Sequence, residues 1–275
     1  MKFDIDIADT GCIITRYTGQ EAVVTVPQKI NNAPVIGIAE KAFADNIHVR
    51  NIVILAQLEF IGSRAFEFCE NLQAINLPDT ISKIGEAAFE GCVALLGISI
   101  PPLTIIEDSL FEECISLKKI ELPSTVTLIK PRAFEFCLSL EEISLSPGVT
   151  MIANGAFFCC RKLKRFIMPD TVVKTGKEIF LGCRSLEDIH LSVNLSRIEC
   201  GLLARCRKLK TITVPASVKT ICNGAFAECT SCSEYIGGED AKYGVKVFDK
   251  CENLLTNPFF REKMDKILEH ASSII

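Results

Sequence analysis

The sequence predicts an α+β repeat solenoid, a right-handed coil with a parallel β-sheet on one face and short strands and helical or 3₁₀ turns on the other. Three observations support this fold class. A phenylalanine recurs every 22 or 23 residues along most of the 275-residue chain. Most units also carry apolar residues at alternate positions, often followed by proline. Because one unit is too short to bury its own apolar residues, neighbouring units must stack around a common core.

The repeat is anchored on one aromatic position. Counted from each anchor, cysteine falls at position +3, leucine at +6, and isoleucine or a substitute at +9 and +11. The recurrence of several such positions predicts about ten coils. The anchors are Phe43, Phe66, Phe89, Phe111, Phe134, Phe157, Phe180, Leu203, Phe226 and Phe248.

Each unit divides into a strand and a turn. The L-x-x-I-x-L-P piece alternates with period two, which predicts a short strand with its Ile and Leu pointing inward. Proline ends that strand because it lacks an N–H group and fixes φ. The A-F-x-x-C-x-x-L piece has a spacing of three, which predicts a helical or 3₁₀ turn on the opposite side.

Both ends of the chain depart from the repeat. Residues 1–22 hold KFDIDI and CIITRY around ADTG, which predicts a capping hairpin. The solenoid is expected over residues 23–254, with an irregular loop where SEYIGGEDAKYG loses the pattern. Residues 255–275 predict a capping helix that begins with Asn257 as N-cap and Pro258 at its first position, or alternatively a helix that recruits a partner. The face expected against the last coil consists of Phe260, Met264, Ile267 and Ala271.

The repeat units resemble a known family. The stretches IGEAAFEGCVAL, LPSTVTLIKPRAFEFCLSLEEISL and VPASVKTICNGAFAEC are similar to the BspA-like leucine-rich repeats, and the likeness covers roughly residues 18–254. The resemblance implies a curved parallel β-solenoid that binds other macromolecules, often as an adhesin on the cell surface.

Composition excludes several classes of function. A net charge of −4 gives no electrostatic basis for binding nucleic acid or an anionic membrane. The N-terminal residues MKFDIDIADTGC contain no apolar run typical of a signal peptide, and no stretch reaches the ~20 apolar residues that span a bilayer. The sequence as written therefore predicts a cytoplasmic protein without membrane insertion, with the cell surface as the alternative.

Nine of the fourteen cysteines occupy position +3 of successive units. A buried thiol behaves as a small apolar side chain, and one thiol per coil at one position indicates packing rather than catalysis. Coils stacked ~4.8 Å apart would permit disulfides by Cα distance, but parallel Cβ vectors disfavour them. We therefore expect reduced thiols in a core ladder of Cys69, Cys92, Cys114, Cys137, Cys160, Cys183, Cys206, Cys229 and Cys251.

The CTSC motif of Cys229 and Cys232 has the spacing of a redox or zinc site. Here both residues fall on inward positions of the repeat, so packing is the simpler interpretation. A zinc site would also need further ligands: Cys222 is nearby in sequence, but no histidine is. We expect no metal ligand and no cofactor.

Motifs for catalysis are missing from the sequence. It contains no P-loop, no G-x-G-x-x-G after a strand and no H-E-x-x-H. The three histidines, His48, His190 and His270, lie far apart in sequence, and His190 falls at an outward strand position. The sequence therefore predicts no enzyme and no catalytic residue.

The outward strand positions +7, +8 and +10 form the candidate binding surface. From Phe111 onward the charges at positions +7 and +8 alternate in sign from coil to coil, which predicts either a structural ladder or a mixed-charge surface that reads a complementary protein. The preceding coils carry mostly small neutral residues that are easily desolvated, so we expect a partner there first. The candidate residues are Arg50, Asn51, Val53, Gln73, Ala74, Asn76, Leu96, Ser99, Lys119, Glu121, Glu142, Arg165, Asp188 and His190.

These observations predict a non-catalytic scaffold that binds another protein through its strand-lined face, as a monomer or weak oligomer. Two alternatives remain open. One is a cell-surface adhesin, and the other is a thiol-redox or metal-binding protein.

Overall fold

A computed structural model describes residues 2–272, with side chains placed up to residue 265. The chain begins with β1 (Phe3–Ala8) and β2 (Gly11–Tyr17), which form an antiparallel hairpin. β3 (Val23–Val26) follows, and then β4 (Lys29–Ile30) and β5 (Ala33–Ile38), which are also antiparallel. β5 pairs in parallel with β2, so the hairpin extends one of the sheets of the solenoid.

The first strand of each coil lies on one side of the molecule, which we call the strand face. It starts with β3 and continues through short parallel strands. From β6 onward these strands are one repeat length apart, except that β8 and β11 are separated by a coil that has no strand here. These strands are β6 (Asn51–Ile54), β8 (Ala74–Ile75), β11 (Lys119–Glu121), β13 (Glu142–Ser144), β15 (Arg165–Ile167), β17 (Asp188–His190), β19 (Thr211–Thr213) and β21 (Glu234–Ile236).

A second set of parallel strands, which we call the back sheet, runs along another side of the coils. Most have a buried isoleucine as their second residue, as at Ile61, Ile84 and Ile129. The strands are β7 (Phe60–Ile61), β9 (Lys83–Ile84), β10 (Ile105–Ile106), β12 (Leu128–Ile129), β14 (Met151–Ile152), β16 (Lys174–Thr175), β18 (Arg197–Ile198), β20 (Thr220–Ile221) and β22 (Lys242–Tyr243).

The predicted fold class is confirmed: parallel strands stack in successive coils around one continuous core. The expected irregular loop in SEYIGGEDAKYG is wrong, because β21 and β22 continue both sets of strands through it. Tyr235 and Tyr243 replace the usual isoleucines there, and their hydroxyl groups hydrogen-bond to each other at 2.8 Å.

The turn around each anchor is not helical, which corrects the predicted helical or 3₁₀ turn. Around Phe66, both Arg64 and Phe68 have left-handed backbone, with φ of 57° and 53°, and the same pattern recurs from coil to coil. Left-handed residues cost about 1 kcal/mol or more each and interrupt a helix. They turn alternate N–H groups toward the next coil: Arg64, Phe66 and Phe68 donate to Glu86, Ala88 and Glu90 carbonyls at 2.8, 2.9 and 2.7 Å.

The anchor rings form a continuous stack beneath these turns. From Phe43 to Phe180, neighbouring ring centroids are 5.0–5.6 Å apart. Such pairs contribute about 0.5–1.5 kcal/mol each beyond their buried area. Tyr17 of β2 continues the stack at the N-terminal end, 5.0 Å from Phe43.

The nine ladder cysteines are fully buried free thiols. Each thiol hydrogen-bonds to the backbone carbonyl of the anchor residue in the preceding coil, as from Cys137 Sγ to Phe111 O at 3.1 Å. The same contact recurs at 3.0–3.3 Å in the other eight. Burial raises the pKa of seven of these thiols, to about 12 for Cys69. At the C-terminal end, the contact between Cys229 and Cys251 raises the pKa of Cys229 and lowers that of Cys251. Each thiol ties its coil to the coil before it.

The C-terminal end is covered by helices α1 (Glu252–Leu255) and α2 (Pro258–Ser272). Asn257 Oδ1 accepts hydrogen bonds from the N–H groups of Phe259 and Phe260, which caps the start of α2. The Phe260 ring packs against Phe248 of the last coil at 5.0 Å. The side chains of Ile267, His270 and Ala271 lie outside the described residues.

A column of glutamates follows the turns on adjacent coils, at Glu67, Glu90, Glu112 and Glu135. Burial of the Glu135 carboxyl is the main cause that raises its pKa to about 7, and repulsion from Glu112 adds to the shift. Arg132, whose Nε lies 3.7 Å from the carboxylate, opposes the shift. Burial and the charge of Glu112 also raise the pKa of Glu90. The carboxylates of this column therefore repel one another at neutral pH.

Replacing a ladder thiol should destabilise the solenoid. We expect Cys137→Ala to lower the free energy of unfolding by about 2 kcal/mol, because it leaves a void and removes the bond to the Phe111 carbonyl. Chemical denaturation followed by circular dichroism measures the change. Cys159→Ala, at a half-buried neighbour outside the ladder, is the matched control and should change stability by less than about 0.5 kcal/mol. Equal effects of the two substitutions would contradict the ladder.

The raised pKa of Glu135 predicts the direction in which the stability of the fold changes with pH. The folded state holds the Glu135 proton up to about pH 7, so this group's stabilising contribution is present below about pH 4.5 and is lost as the pH rises to 7. Glu135→Gln should therefore be more stable than the wild type at pH 8 and lose that advantage near pH 4.5. Thermal melts across this range test it, with exposed Glu142→Gln as control. A constant difference at every pH would show that Glu135 is not the group responsible.

Candidate functional site

The predicted binding residues all lie on the strand face. All are exposed except Asn51, which is half-buried. The coils from β6 to residue 99 present exposed apolar groups rather than only small neutral ones, including Val53, Leu55 and Leu96, whose exposed fractions are 40%, 49% and 57%.

Asn76 has a structural task that its position in the sequence does not reveal. Its side-chain amide forms two hydrogen bonds with the backbone of Ile54, from Ile54 N to Oδ1 at 2.7 Å and from Nδ2 to Ile54 O at 3.0 Å. The side chain thus replaces the strand pairing that β8 lacks at this point. Its polar atoms are therefore engaged within the fold, although the side chain is exposed.

The alternating charges form some of the expected pairs between coils. Lys164 contacts Glu141 at 3.2 Å, and Arg165 contacts Asp188 at 3.0 Å. Lys119 instead contacts Glu121 of its own strand at 2.9 Å, and their hydrogen bond lowers the pKa of the Glu121 carboxyl. Some of the alternating charges therefore pair between coils and others pair within one strand.

Strands of the strand face are hydrogen-bonded in separate groups. β3, β6 and β8 form one group, and the pairs β11–β13, β15–β17 and β19–β21 form three others. Residues 96–100 between the first two groups are not in strand conformation. The face is therefore interrupted at three places, whereas the core beneath it is continuous.

One interruption opens a cleft of about 580 Å³ between β13 and β15, which we call the central cleft. Ile143 and Leu145 occupy inward repeat positions but are half-buried, and Ile167 is 54% exposed. Prolines Pro147 and Pro169 also line the cleft, and the Glu141–Lys164 ion pair spans its edge. The cleft has an apolar floor and a charged rim.

A second cleft of about 450 Å³, the N-terminal cleft, opens between residues 98–100 and β11. Its lining includes half-buried Ile98 and Ile100 together with Lys119 and Glu121. Two concave sites with apolar floors and charged rims suit apolar side chains presented by another macromolecule.

The sequence did not predict the cleft floors, because the repeat pattern assigns Ile143 and Leu145 to the buried core. Two sequence signals accompany the clefts. Phe166 stands where isoleucine is usual, and its ring contacts Phe157 and Phe180 at 5.2 and 4.5 Å. The spacing from Phe89 to Phe111 is 22 residues instead of 23, next to the N-terminal cleft.

The strand face offers no arrangement suited to catalysis among the described residues. His190 is exposed and lies 3.8 Å from Asp170, too far for a good hydrogen bond. Candidate metal ligands come together elsewhere, beside the back sheet at Glu199, Cys200 and Cys222. Within the described part of the chain, no helix has the length and hydropathy to cross a membrane.

Comparison with known proteins agrees with the fold. The BspA type leucine rich repeat region matches in six copies, over residues 36–164, 104–233 and 150–272. None of the curated proteins matches the chain significantly.

Three solved structures illustrate the likeness. A leucine-rich repeat protein of T. pallidum is 33% identical, with a TM-score of 0.62 over 67% of this chain and 88% of its own. One from Bacteroides ovatus is 24% identical, with a TM-score of 0.74 over 92% and 80%. One from Eubacterium ventriosum is 18% identical, with a TM-score of 0.51 over 89% and 83%. The matched repeats cover most of the chain, which belongs to the BspA-type leucine-rich repeat family.

Proposed function

We propose that this protein is a non-catalytic scaffold that binds another protein through the strand face, with the central cleft as the main contact. The observation that carries the proposal is the local opening of an otherwise regular stack. Ile143, Leu145 and Ile167 are accessible there, although the repeat pattern places the first two of them in the core.

The shape and chemistry of the cleft favour a protein ligand. Anchor side chains such as Leu, Phe or Tyr fit apolar pockets of this kind, and charged rims contribute to orientation and to rejection of wrong partners. The rim charges are of both signs, because Glu141 and Glu142 line one side of the cleft and Lys164 and Arg165 the other. A nucleic acid would favour an excess of positive charge instead.

The N-terminal cleft supports a contact area wider than one pocket. It lies on the same face, and the exposed Leu96 and Ser99 lie at or beside it. Stable protein interfaces bury roughly 800 Å² per partner, which exceeds what a single cleft of this size can supply. We therefore propose that the contact extends over the four coils anchored at Phe89, Phe111, Phe134 and Phe157, which include part of the N-terminal half predicted from sequence.

Placing a charge in the central cleft should weaken binding. We expect Ile167→Arg to reduce affinity for the partner at least about tenfold, because a buried unpaired guanidinium opposes docking of an apolar anchor. Photo-crosslinking from residue 144, in lysate of the source cells with mass-spectrometric identification, first defines the partner. Binding of the purified partner to each variant is then measured by calorimetry.

Val173→Arg is the matched control, because Val173 is an equally exposed β-branched residue, at 59%, beside the back sheet. It should leave affinity unchanged. If Val173→Arg weakens binding and Ile167→Arg does not, the partner uses another surface and the proposal fails.

A further inference from the structure

We propose that Glu199, Cys200 and Cys222 form a binding site for a thiophilic divalent cation of the Zn²⁺ class. The two sulfur atoms and a carboxylate oxygen all lie within 4.8 Å of one another. This site lies beside the back sheet, apart from the strand face, and does not depend on the proposed function.

The solenoid itself brings these residues together. Glu199 follows β18 and Cys222 follows β20, at the same repeat position on adjacent coils, and β18 pairs directly with β20. The same position elsewhere holds an ion pair, Lys130 with Glu107 at 2.6 Å. Side chains at this position therefore meet from coil to coil, and Cys200 adds a second sulfur from the residue after Glu199.

These two thiols differ from the ladder thiols. Cys222 Sγ faces Glu199 Oε2 at 4.0 Å rather than the carbonyl of an anchor residue. Glu199 and Cys200 are half-buried, so an ion can reach the site from solvent, whereas the ladder thiols are fully buried. Burial raises the pKa of Cys222, and the hydrogen bond that Arg197 donates to its sulfur opposes that shift.

Arg197 orients the carboxylate for a cation. Its Nε contacts Glu199 Oε1 at 3.1 Å, while the other oxygen, Oε2, is the one directed toward Cys222. A hydrogen-bonded partner behind a ligand is a general feature of metal sites. Two thiolates, one carboxylate, one divalent cation and the guanidinium sum to a net charge of zero, so Arg197 also balances the loaded site.

The ligand set fits zinc in number and type. Zinc binds thiolate sulfur at about 2.3 Å and carboxylate oxygen at about 2.0–2.2 Å, which places tetrahedral sulfur ligands about 3.8 Å apart. Side-chain rotations that shorten the present separations by about 1 Å or less would reach that geometry. Three protein ligands leave the fourth position for water or an external group. Binding converts two thiols to thiolates and releases two protons, so affinity should fall as the pH is lowered.

Cobalt binding to the reduced full-length chain tests this site. After reduction and removal of metals, we expect one Co²⁺ per chain, with the visible bands of tetrahedral cobalt and a near-ultraviolet sulfur-to-cobalt band, both displaced by Zn²⁺. Cys200→Ser and Cys222→Ser should each weaken binding more than about 100-fold, and Arg197→Gln about 10–100-fold.

Cys159→Ser is the matched control, because Cys159 is another half-buried thiol that lies on a different coil. It should bind cobalt as the wild type does. Melting temperatures identify any variant that fails to fold. If Cys222→Ser does not fold, Cys200→Ser still tests the site, because Cys200 is only half-buried. Absence of the sulfur-to-cobalt band, or unchanged binding in the folded Cys200→Ser variant, would overturn the site.

Discussion

The register between neighbouring coils depends on the backbone carbonyl of each anchor residue, which accepts hydrogen bonds from a backbone N–H and from a cysteine thiol. The carbonyl of Phe111 accepts the N–H of Cys114 in its own coil at 3.2 Å and the thiol of Cys137 in the next coil at 3.1 Å. Stacked rings lie under these bonds, and alternate turn N–H groups add direct bonds between coils. An unsatisfied buried carbonyl costs about 1–3 kcal/mol, so a coil displaced from its register loses several contacts together. This concentration of bonds at the turn explains why one thiol recurs at one position in nine coils.

A stack held at the turns leaves the strand face free to vary. The strands there are hydrogen-bonded only in groups, yet the core beneath them is continuous. The central cleft and the N-terminal cleft both lie at such interruptions. The bonds of the anchor turns and the candidate binding surface therefore occupy different sides of each coil. Side chains on the strand face other than Asn76 can change without disturbing the stack.

The sequence was sufficient to predict the stack, because strict spacing of Phe, Cys and Leu has one economical explanation in a solenoid. Three features were beyond its reach. The left-handed turn residues are of many types, such as Arg64, Phe68 and Glu113, so no pattern of glycines in the sequence predicts them. The half-buried state of Ile143 depends on which neighbouring strands form hydrogen bonds, which a residue pattern does not encode. Cys200 and Cys222 are 22 residues apart and become neighbours only once the coils stack, so their proximity to Glu199 was not expected.

Site-resolved thiol labelling of the native protein tests the turn account most directly. Brief exposure to a maleimide in native buffer, followed by mass spectrometry of peptides, measures the reactivity of each cysteine. We predict labelling of half-buried Cys159 and Cys200 within minutes, with Cys92, Cys114, Cys137, Cys160 and Cys183 protected until the chain is unfolded by denaturant. Labelling of these five central ladder thiols in native buffer as fast as Cys159 would contradict it.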